Sequence, residues 1–134
     1  METNNINRSA ASALNSKNAI RPFAIWWARL PKLEDSSVQA GFRPVIITSN
    51  AMCCQHSPTI SVVPMTSKTT KARLSTHVLL DADNGLEAPS LVLCEQITTI
   101  DKYRLINPIG YVRCKEDRDA ICRALAHQLS MAAA

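Results

Sequence analysis

The sequence predicts an α+β fold: a small, mostly antiparallel β-sheet or barrel followed by a C-terminal amphipathic helix. The 134 residues, 46% of them hydrophobic, suffice for one domain with a substantial core. From Phe23 onward, six short apolar runs are separated by turn residues, which is typical of short antiparallel strands. After Lys115 the apolar residues recur at helical spacing instead.

Composition sets the first 20 residues apart from the rest of the chain. They are rich in Asn, Ser and Ala without an apolar period, so we expect a flexible leader there and a domain over residues 21–134. The predicted strands are Phe23–Leu30, Arg43–Thr48, Thr59–Met65, Thr76–Leu80, Leu91–Ile97 and Ile109–Val112.

Three segments between and after these strands carry further predictions. Pro64 cannot donate to a ladder, so the third strand should end, bulge or lie at a sheet edge there. The segment Pro31–Gly41 is longer than a tight hairpin requires and is a candidate functional loop. Acidic residues begin the segment Lys115–Met131, and Ile121 and Leu125 lie on one face, which predicts a helix packed on the sheet.

The cysteines and the absence of long apolar runs indicate a cytoplasmic protein. Five cysteines is an odd number, and Cys53 and Cys54 are adjacent, which favours reduced thiols over a disulfide framework. No apolar run approaches the roughly 20 residues of a membrane helix, and the N-terminus has no signal-peptide pattern.

Several common sites are excluded by motif. The three glycines form no phosphate-binding loop, and neither a GxSxG nor an HExxH motif is present. Cys53, Cys54 and His56 lack the spacing of a zinc site, so we predict no metal and no cofactor. A net charge of +4 permits a polyanionic partner but only weakly favours one.

Polar residues stand at the ends of three predicted strands. Arg43 begins the second strand, directly before Pro44, and would point a rigid guanidinium into solvent. Thr66-Ser67-Lys68 ends the third strand, and Glu95-Gln96 lies at the end of another. We expect these three strand ends to converge on one cleft.

These pieces, in this order, resemble the MazF/PemK toxin family over more than three quarters of the chain. The resemblance rests on IWWARLP, SVQAGFRPVIITSN, SPTISVVPMTSK, KARLSTHVLL, LVLCEQITTIDKYRL and the final helix. It implies an SH3-like barrel with added helices that dimerises to form an RNA groove. It also implies a metal-independent endoribonuclease that cuts single-stranded messenger RNA and is inhibited by a cognate antitoxin, whose C-terminal segment occupies that groove.

The resemblance also implies a set of site residues. The family's catalytic arginine and strand-end threonine correspond to Arg43 and Thr66. The implied RNA-binding residues are Ser37, Gln39, Phe42, Ser67, Lys68, Glu95 and Gln96. A guanidinium and a hydroxyl suit the chemistry, because attack by the ribose 2′-hydroxyl on the adjacent phosphorus builds negative charge on phosphate oxygens. The products would be a 2′,3′-cyclic phosphate and a 5′-hydroxyl.

One departure from the family leaves the general base open. Val38 stands where many members have a glutamate, so a water molecule or a carboxylate such as Asp101 would have to accept the proton.

Two alternative functions follow from the same resemblance. One is a gyrase-poisoning protein of the CcdB type, although the C-terminal Trp of that type is absent. The other is a non-catalytic member that only binds its antitoxin.

Overall fold

A computed structural model of the chain describes residues 20–69 and 73–131, so the predicted leader lies outside the described residues except for Ile20. Seven strands form one sheet in the order β4-β5-β3-β2-β1-β7, and β6 pairs with β3 off this path. The strands are β1 Ala24–Leu30, β2 Gly41–Ile47, β3 Thr59–Thr66, β4 His77–Leu80, β5 Ser90–Leu93, β6 Thr98–Asp101 and β7 Leu105–Tyr111. The helices are α1 Ala51–His56 and α2 Lys115–Gln128, and three short 3-10 turns are Ala82–Asn84, Cys94–Gln96 and Lys102–Arg104.

All the strand pairs are antiparallel, and α2 packs on the sheet, so the predicted α+β fold is confirmed. Neither helix in the described ranges is long and apolar enough to cross a membrane.

Alternation along the central strands divides the core between the two faces of the sheet. On β1, Trp26 and Ala28 belong to one buried cluster and Ile25 to the other. We call these the first core and the second core. The first also contains Val45, Ile47, Ile60, Val62 and Ile100, and the second Ile46, Val63, Met65, Val92, Ile121 and Ala124. Trp26 and Trp27 face opposite sides of β1, since Trp26 lies in the first core whereas Trp27 stacks on Phe42.

Of the three alternatives predicted for the third strand at Pro64, an end of the strand there is wrong. The strand continues to Thr66, and Pro64 pairs with Val45 of β2. On the other edge, β3 pairs with β6 as far as Val62 and with β5 from Met65 onward. Pro64 therefore lies where β3 changes partner, and a missing N–H costs little there.

The element boundaries differ from the sequence prediction in three further places. The predicted strand Leu91–Ile97 divides into β5 and the turn Cys94–Gln96, and β6 follows as an additional strand. The last strand starts at Leu105 rather than at Ile109. The short helix α1 was not predicted, and its N-terminus is capped by the Asn50 side chain, which accepts from the Cys53 amide.

Two glycines allow the turn after Asn84 to lie directly against β7. Gly85 has a φ of 100°, and a Cβ there would lie 2.1 Å from the Ile109 carbonyl oxygen. A Cβ on Gly110 would lie 1.8 Å from the Asn84 carbonyl oxygen. The Asn84 side chain fixes the same approach, because its Oδ1 accepts from the Arg113 amide at 3.0 Å.

We expect Gly110→Ala to destabilise the fold by roughly 2 kcal/mol or more, because backbone rather than a movable side chain occupies the space for its Cβ. Chemical denaturation measures this loss. Gly41→Ala is the matched control: Gly41 has a φ of 82° but open space for a Cβ, so only backbone strain of about 1 kcal/mol applies. Equal stability losses in the two variants would contradict the close approach.

Candidate functional site

The start of β2 and the end of β3 lie side by side, and this juxtaposition builds the candidate site. Val45 pairs with Pro64 in the antiparallel register of β2 and β3. Continued by two residues, back along β2 and forward along β3, this register sets Arg43 opposite Thr66. Side chains two residues apart on a strand share a face. Arg43 and Thr66, the predicted catalytic pair, therefore extend from the same face at the same end of the sheet.

The Arg43 side chain is held by one hydrogen bond from its Nε. This atom donates to the Ala40 carbonyl oxygen at 2.8 Å, just before Gly41 turns the chain into β2 with a φ of 82°. A guanidinium carries five N–H donors, and among the described residues the two terminal amino groups of Arg43 have no hydrogen-bond partner. The arrangement fixes the side chain while leaving a planar pair of donors for an anion.

Thr66 offers a buried hydroxyl next to this guanidinium. Its side chain is almost fully buried, and its Oγ1 accepts from the Lys68 amide at 3.2 Å. Because the hydroxyl accepts there, its proton is available to a ligand. Ser67 and Lys68 follow directly and are exposed, which adds a hydroxyl and a positive charge at the same strand end.

Gln39 and Gln96 meet although they are 57 residues apart in sequence, because the backbone N–H of Gln39 donates to the side-chain Oε1 of Gln96 at 2.8 Å. The structure thereby joins the loop between β1 and β2 to the turn Cys94–Gln96. The Gln39 side-chain oxygen is buried without a hydrogen-bond partner in the described part of the chain. A buried acceptor in this state is a place for a ligand donor.

Glu95 does not join the cluster formed by Arg43, Thr66, Gln39 and Gln96. Its carboxylate instead makes hydrogen bonds within the protein. It accepts from the Thr76 Oγ1 at 2.9 Å and lies 2.9 Å from the His77 Nε2. The His77 Nδ1 accepts from the Leu74 amide, so the ring proton is on Nε2 and points at Glu95. Partial burial alone would raise the pKa of Glu95, but the hydrogen bonds from His77, from its own backbone and from Thr76 lower it overall.

Thr76 and His77 were missed as site-supporting residues, since a lone histidine in a short strand carries no distinctive sequence signal. With Glu95 they anchor the turn that presents Gln96 to the loop.

The remaining predicted residues lie around the cluster rather than in it. Ser37 and Val38 are exposed in the loop. Phe42 is adjacent to Arg43 and therefore extends from the opposite face of β2, where its ring stacks on Trp27 at a centroid distance of 4.7 Å. A cavity of about 300 Å³ is lined by both Phe42 and Arg43, together with residues that include Trp27, Ser67 and Glu87.

Asp101 lies too far away to act as general base within one protomer. It pairs with Thr59, the first residue of β3, whereas Thr66 is the last. At about 3.3 Å per residue, the two ends of β3 are roughly 23 Å apart.

The family model described as "PemK-like, MazF-like toxin of type II toxin-antitoxin system" matches residues 21–129. The chain is 42% identical over 97 residues to "Endoribonuclease EndoA" of Bacillus subtilis, covering 72% of this chain and 81% of the relative. It is 37% identical over 84 residues to "Endoribonuclease MazF" of Staphylococcus saprophyticus, covering 62% of this chain and 70% of the relative. Among solved structures, "Mycobacterium tuberculosis toxin MazF-mt6" superposes with a TM-score of 0.68 at 29% identity, covering 82% of this chain and 99% of that one.

We expect Glu95→Gln to lower the free energy of unfolding by about 1 kcal/mol at neutral pH, because the amide keeps the shape but loses the charge in two hydrogen bonds. Since the folded-state pKa of Glu95 is lowered, its stabilisation is present above the unfolded-state pKa near 4.3 and is lost as pH falls through the folded-state pKa. Denaturation from pH 7 to pH 3 should show the wild-type advantage disappear at acid pH. Exposed Glu87→Gln is the control, and a Glu95→Gln deficit that persists unchanged at pH 3 would contradict the assignment.

Proposed function

The chain belongs to the family of PemK-like, MazF-like toxins of type II toxin–antitoxin systems, and on that premise we propose that it is an endoribonuclease that cuts single-stranded RNA at a specific short sequence. The proposal is supported by relatives named as endoribonucleases and by the position of Arg43 beside Thr66. We place this activity in domain 21–134 and in the cytoplasm, where messenger RNA is the substrate.

The juxtaposition of Arg43 and Thr66 carries the chemical part of the proposal. The ribose 2′-hydroxyl attacks the neighbouring phosphorus, the bond to the 5′ oxygen breaks, and a 2′,3′-cyclic phosphate and a 5′-hydroxyl remain. Negative charge grows on the phosphate oxygens during this step, and the two free amino groups of Arg43 and the Thr66 hydroxyl are donors suited to bind it. These groups supply the stabilisation without a metal ion.

The residues around this pair bind and read the RNA. Lys68 attracts the backbone, and Ser37 and Ser67 add hydroxyl contacts. The unpartnered oxygen of Gln39 accepts from a base amino group, and the free amide nitrogen of Gln96 donates to a base. Glu95 acts indirectly, because its bonds to Thr76 and His77 hold the turn that presents Gln96.

A water molecule takes the proton from the 2′-hydroxyl in this proposal, and water gives a proton to the departing 5′ oxygen. Val38 is exposed in the loop and has no group that could accept a proton, and Asp101 lies at the far end of β3. The same valine is the observation that favours the second candidate, a non-catalytic member that binds an antitoxin but cuts no RNA.

Two partners complete the proposed function. A symmetric homodimer provides a groove longer than one small sheet offers, with the same patch of each subunit in the contact. A cognate antitoxin inhibits by placing an acidic C-terminal segment in that groove, and RNA and antitoxin then exclude each other.

We expect Arg43→Ala to abolish RNA cleavage without unfolding the protein, because loss of a transition-state donor costs on the order of 3 kcal/mol, roughly a hundredfold in rate. Thr66→Val should reduce the rate less. The control is Arg123→Ala, which removes the same charge from an exposed position on α2. Mapping and end-group analysis of RNA cut by the purified protein measures the effect.

Cleavage in EDTA should equal cleavage without it, and the new 5′ ends should be hydroxyls. Wild-type rates in folded Arg43→Ala would refute the site. Absence of any cleavage by the wild-type protein, together with antitoxin binding, would support the non-catalytic candidate.

We expect light scattering to give twice the chain mass of 14.7 kDa at micromolar concentration. A monomer that still cuts RNA at wild-type rate would show that one subunit suffices.

A further inference from the structure

A row of aromatic and arginine side chains crosses the end of the sheet next to Arg43. Phe42 of β2 is paired with Arg29 of β1, and Arg104 lies directly before Leu105 of β7, which is paired with Ala28. Phe42 of β2, Arg29 of β1 and Arg104, the last residue of the turn before β7, thus occupy neighbouring positions over a span of roughly 10 Å. We call these residues, with Trp27 and Tyr103, the end row.

Direct contacts hold the end row together. The Phe42 ring stacks on Trp27 with an interplanar angle of 12°, and the Arg29 guanidinium lies 6.0 Å from the Phe42 centroid. The Arg104 Nη1 donates to the Arg29 carbonyl oxygen at 3.2 Å, and its guanidinium lies 5.6 Å from the Tyr103 centroid. The stacked rings of Trp27 and Phe42 therefore lie at one end of the row and the Tyr103 ring at the other, with the guanidinium groups of Arg29 and Arg104 between them.

Three members of the end row, Arg29, Phe42 and Tyr103, are exposed, whereas Trp27 and Arg104 are half-buried, and the charge of the row is uncompensated among the described residues. Phe42 is 51% and Tyr103 75% exposed, although both are large aromatic residues. Neither Arg29 nor Arg104 forms an ion pair with any described residue. Stability of the monomer does not explain why two arginines without an ion pair among the described residues lie between two exposed rings.

We propose that the end row binds the nucleotides that flank the cleaved bond, a role that rests on the proposed function of the Arg43 site. Flat rings and guanidinium planes stack on bases, and arginines neutralise phosphates, which is the combination that single-stranded RNA requires. An acidic peptide would use the charges but would leave the rings unexplained. Phe42 and Arg43 are consecutive, so a strand of RNA that passes over the end of β2 contacts both faces of the sheet.

Arg29→Gln tests the end row, because only the backbone of Arg29, which is kept, holds Arg104. Cleavage is measured with an RNA trimmed to the mapped cleavage sequence and with the same RNA extended by about six nucleotides on each side. Arg29→Gln should raise KM for the extended RNA about three- to tenfold with kcat unchanged, and should affect the trimmed RNA less. Tyr103→Ala should act in the same direction, and Arg123→Gln is the control with the same loss of charge.

Binding of a labelled, 2′-O-methylated extended RNA gives a readout that does not need cleavage. Its affinity should fall by the same factor in Arg29→Gln, and the log–log salt slope should decrease by about 0.7, the value for one phosphate on a single strand. If the wild type cuts no RNA but this binding still depends on Arg29, the proposed function fails and the end row stands.

Three results would overturn the proposal that the end row binds RNA. These are equal KM changes for trimmed and extended RNA, a fall in kcat instead of a rise in KM, or wild-type behaviour of both Arg29→Gln and Tyr103→Ala. If Arg29→Gln binds RNA normally but loses affinity for an acidic antitoxin segment, the row serves the antitoxin.

Discussion

The antiparallel register between β2 and β3 is the constraint on which the site depends. Because Val45 pairs with Pro64, the register turns Arg43, near the start of β2, and Thr66, the last residue of β3, to one face at one end of the sheet. A shift of one residue would turn Arg43 or Thr66 to the other face, because side chains alternate along a strand. Burial of Val45, Ile46 and Ile47 between the two cores secures this register, so core packing determines the geometry of two polar side chains.

The site also depends on a chain of polar contacts that begins at Gln39 and extends to residues outside the site. Loop residue Gln39 depends on Gln96, and Gln96 follows Glu95, which Thr76 and His77 hold on the neighbouring strand. A partly buried carboxylate with two donors keeps its charge and its position at neutral pH. The loop between β1 and β2 is thus connected to β4 through the side chains of Gln96, Glu95 and His77.

Apolar alternation was sufficient to predict most strands and α2, since each buries at least one face. It was insufficient for α1, six residues stabilised by the Asn50 cap, and for β6, whose pattern TTID contains one buried residue. Family resemblance supplied Arg43, Thr66, Gln39 and Gln96, and a hydrogen bond in the structure joins Gln39 to Gln96. Resemblance could not show where the Glu95 carboxylate points, because that depends on hydrogen bonds between residues 18 and 19 positions apart.

Alternation along β2 also separates two tasks that share one strand end. Arg43 extends from the face of the first core, where Thr66 lies, and Phe42 extends from the face of the second, where Trp27 and Arg29 lie. Groups that stabilise a transition state must be fixed tightly, and Arg43 is held by the Ala40 carbonyl. Groups that stack on bases tolerate looser positions and greater exposure, as Phe42 and Tyr103 show. Because the two sets lie on opposite faces and share no described hydrogen bond, substitutions on one face can change how firmly RNA is held without altering the groups that act on its phosphate.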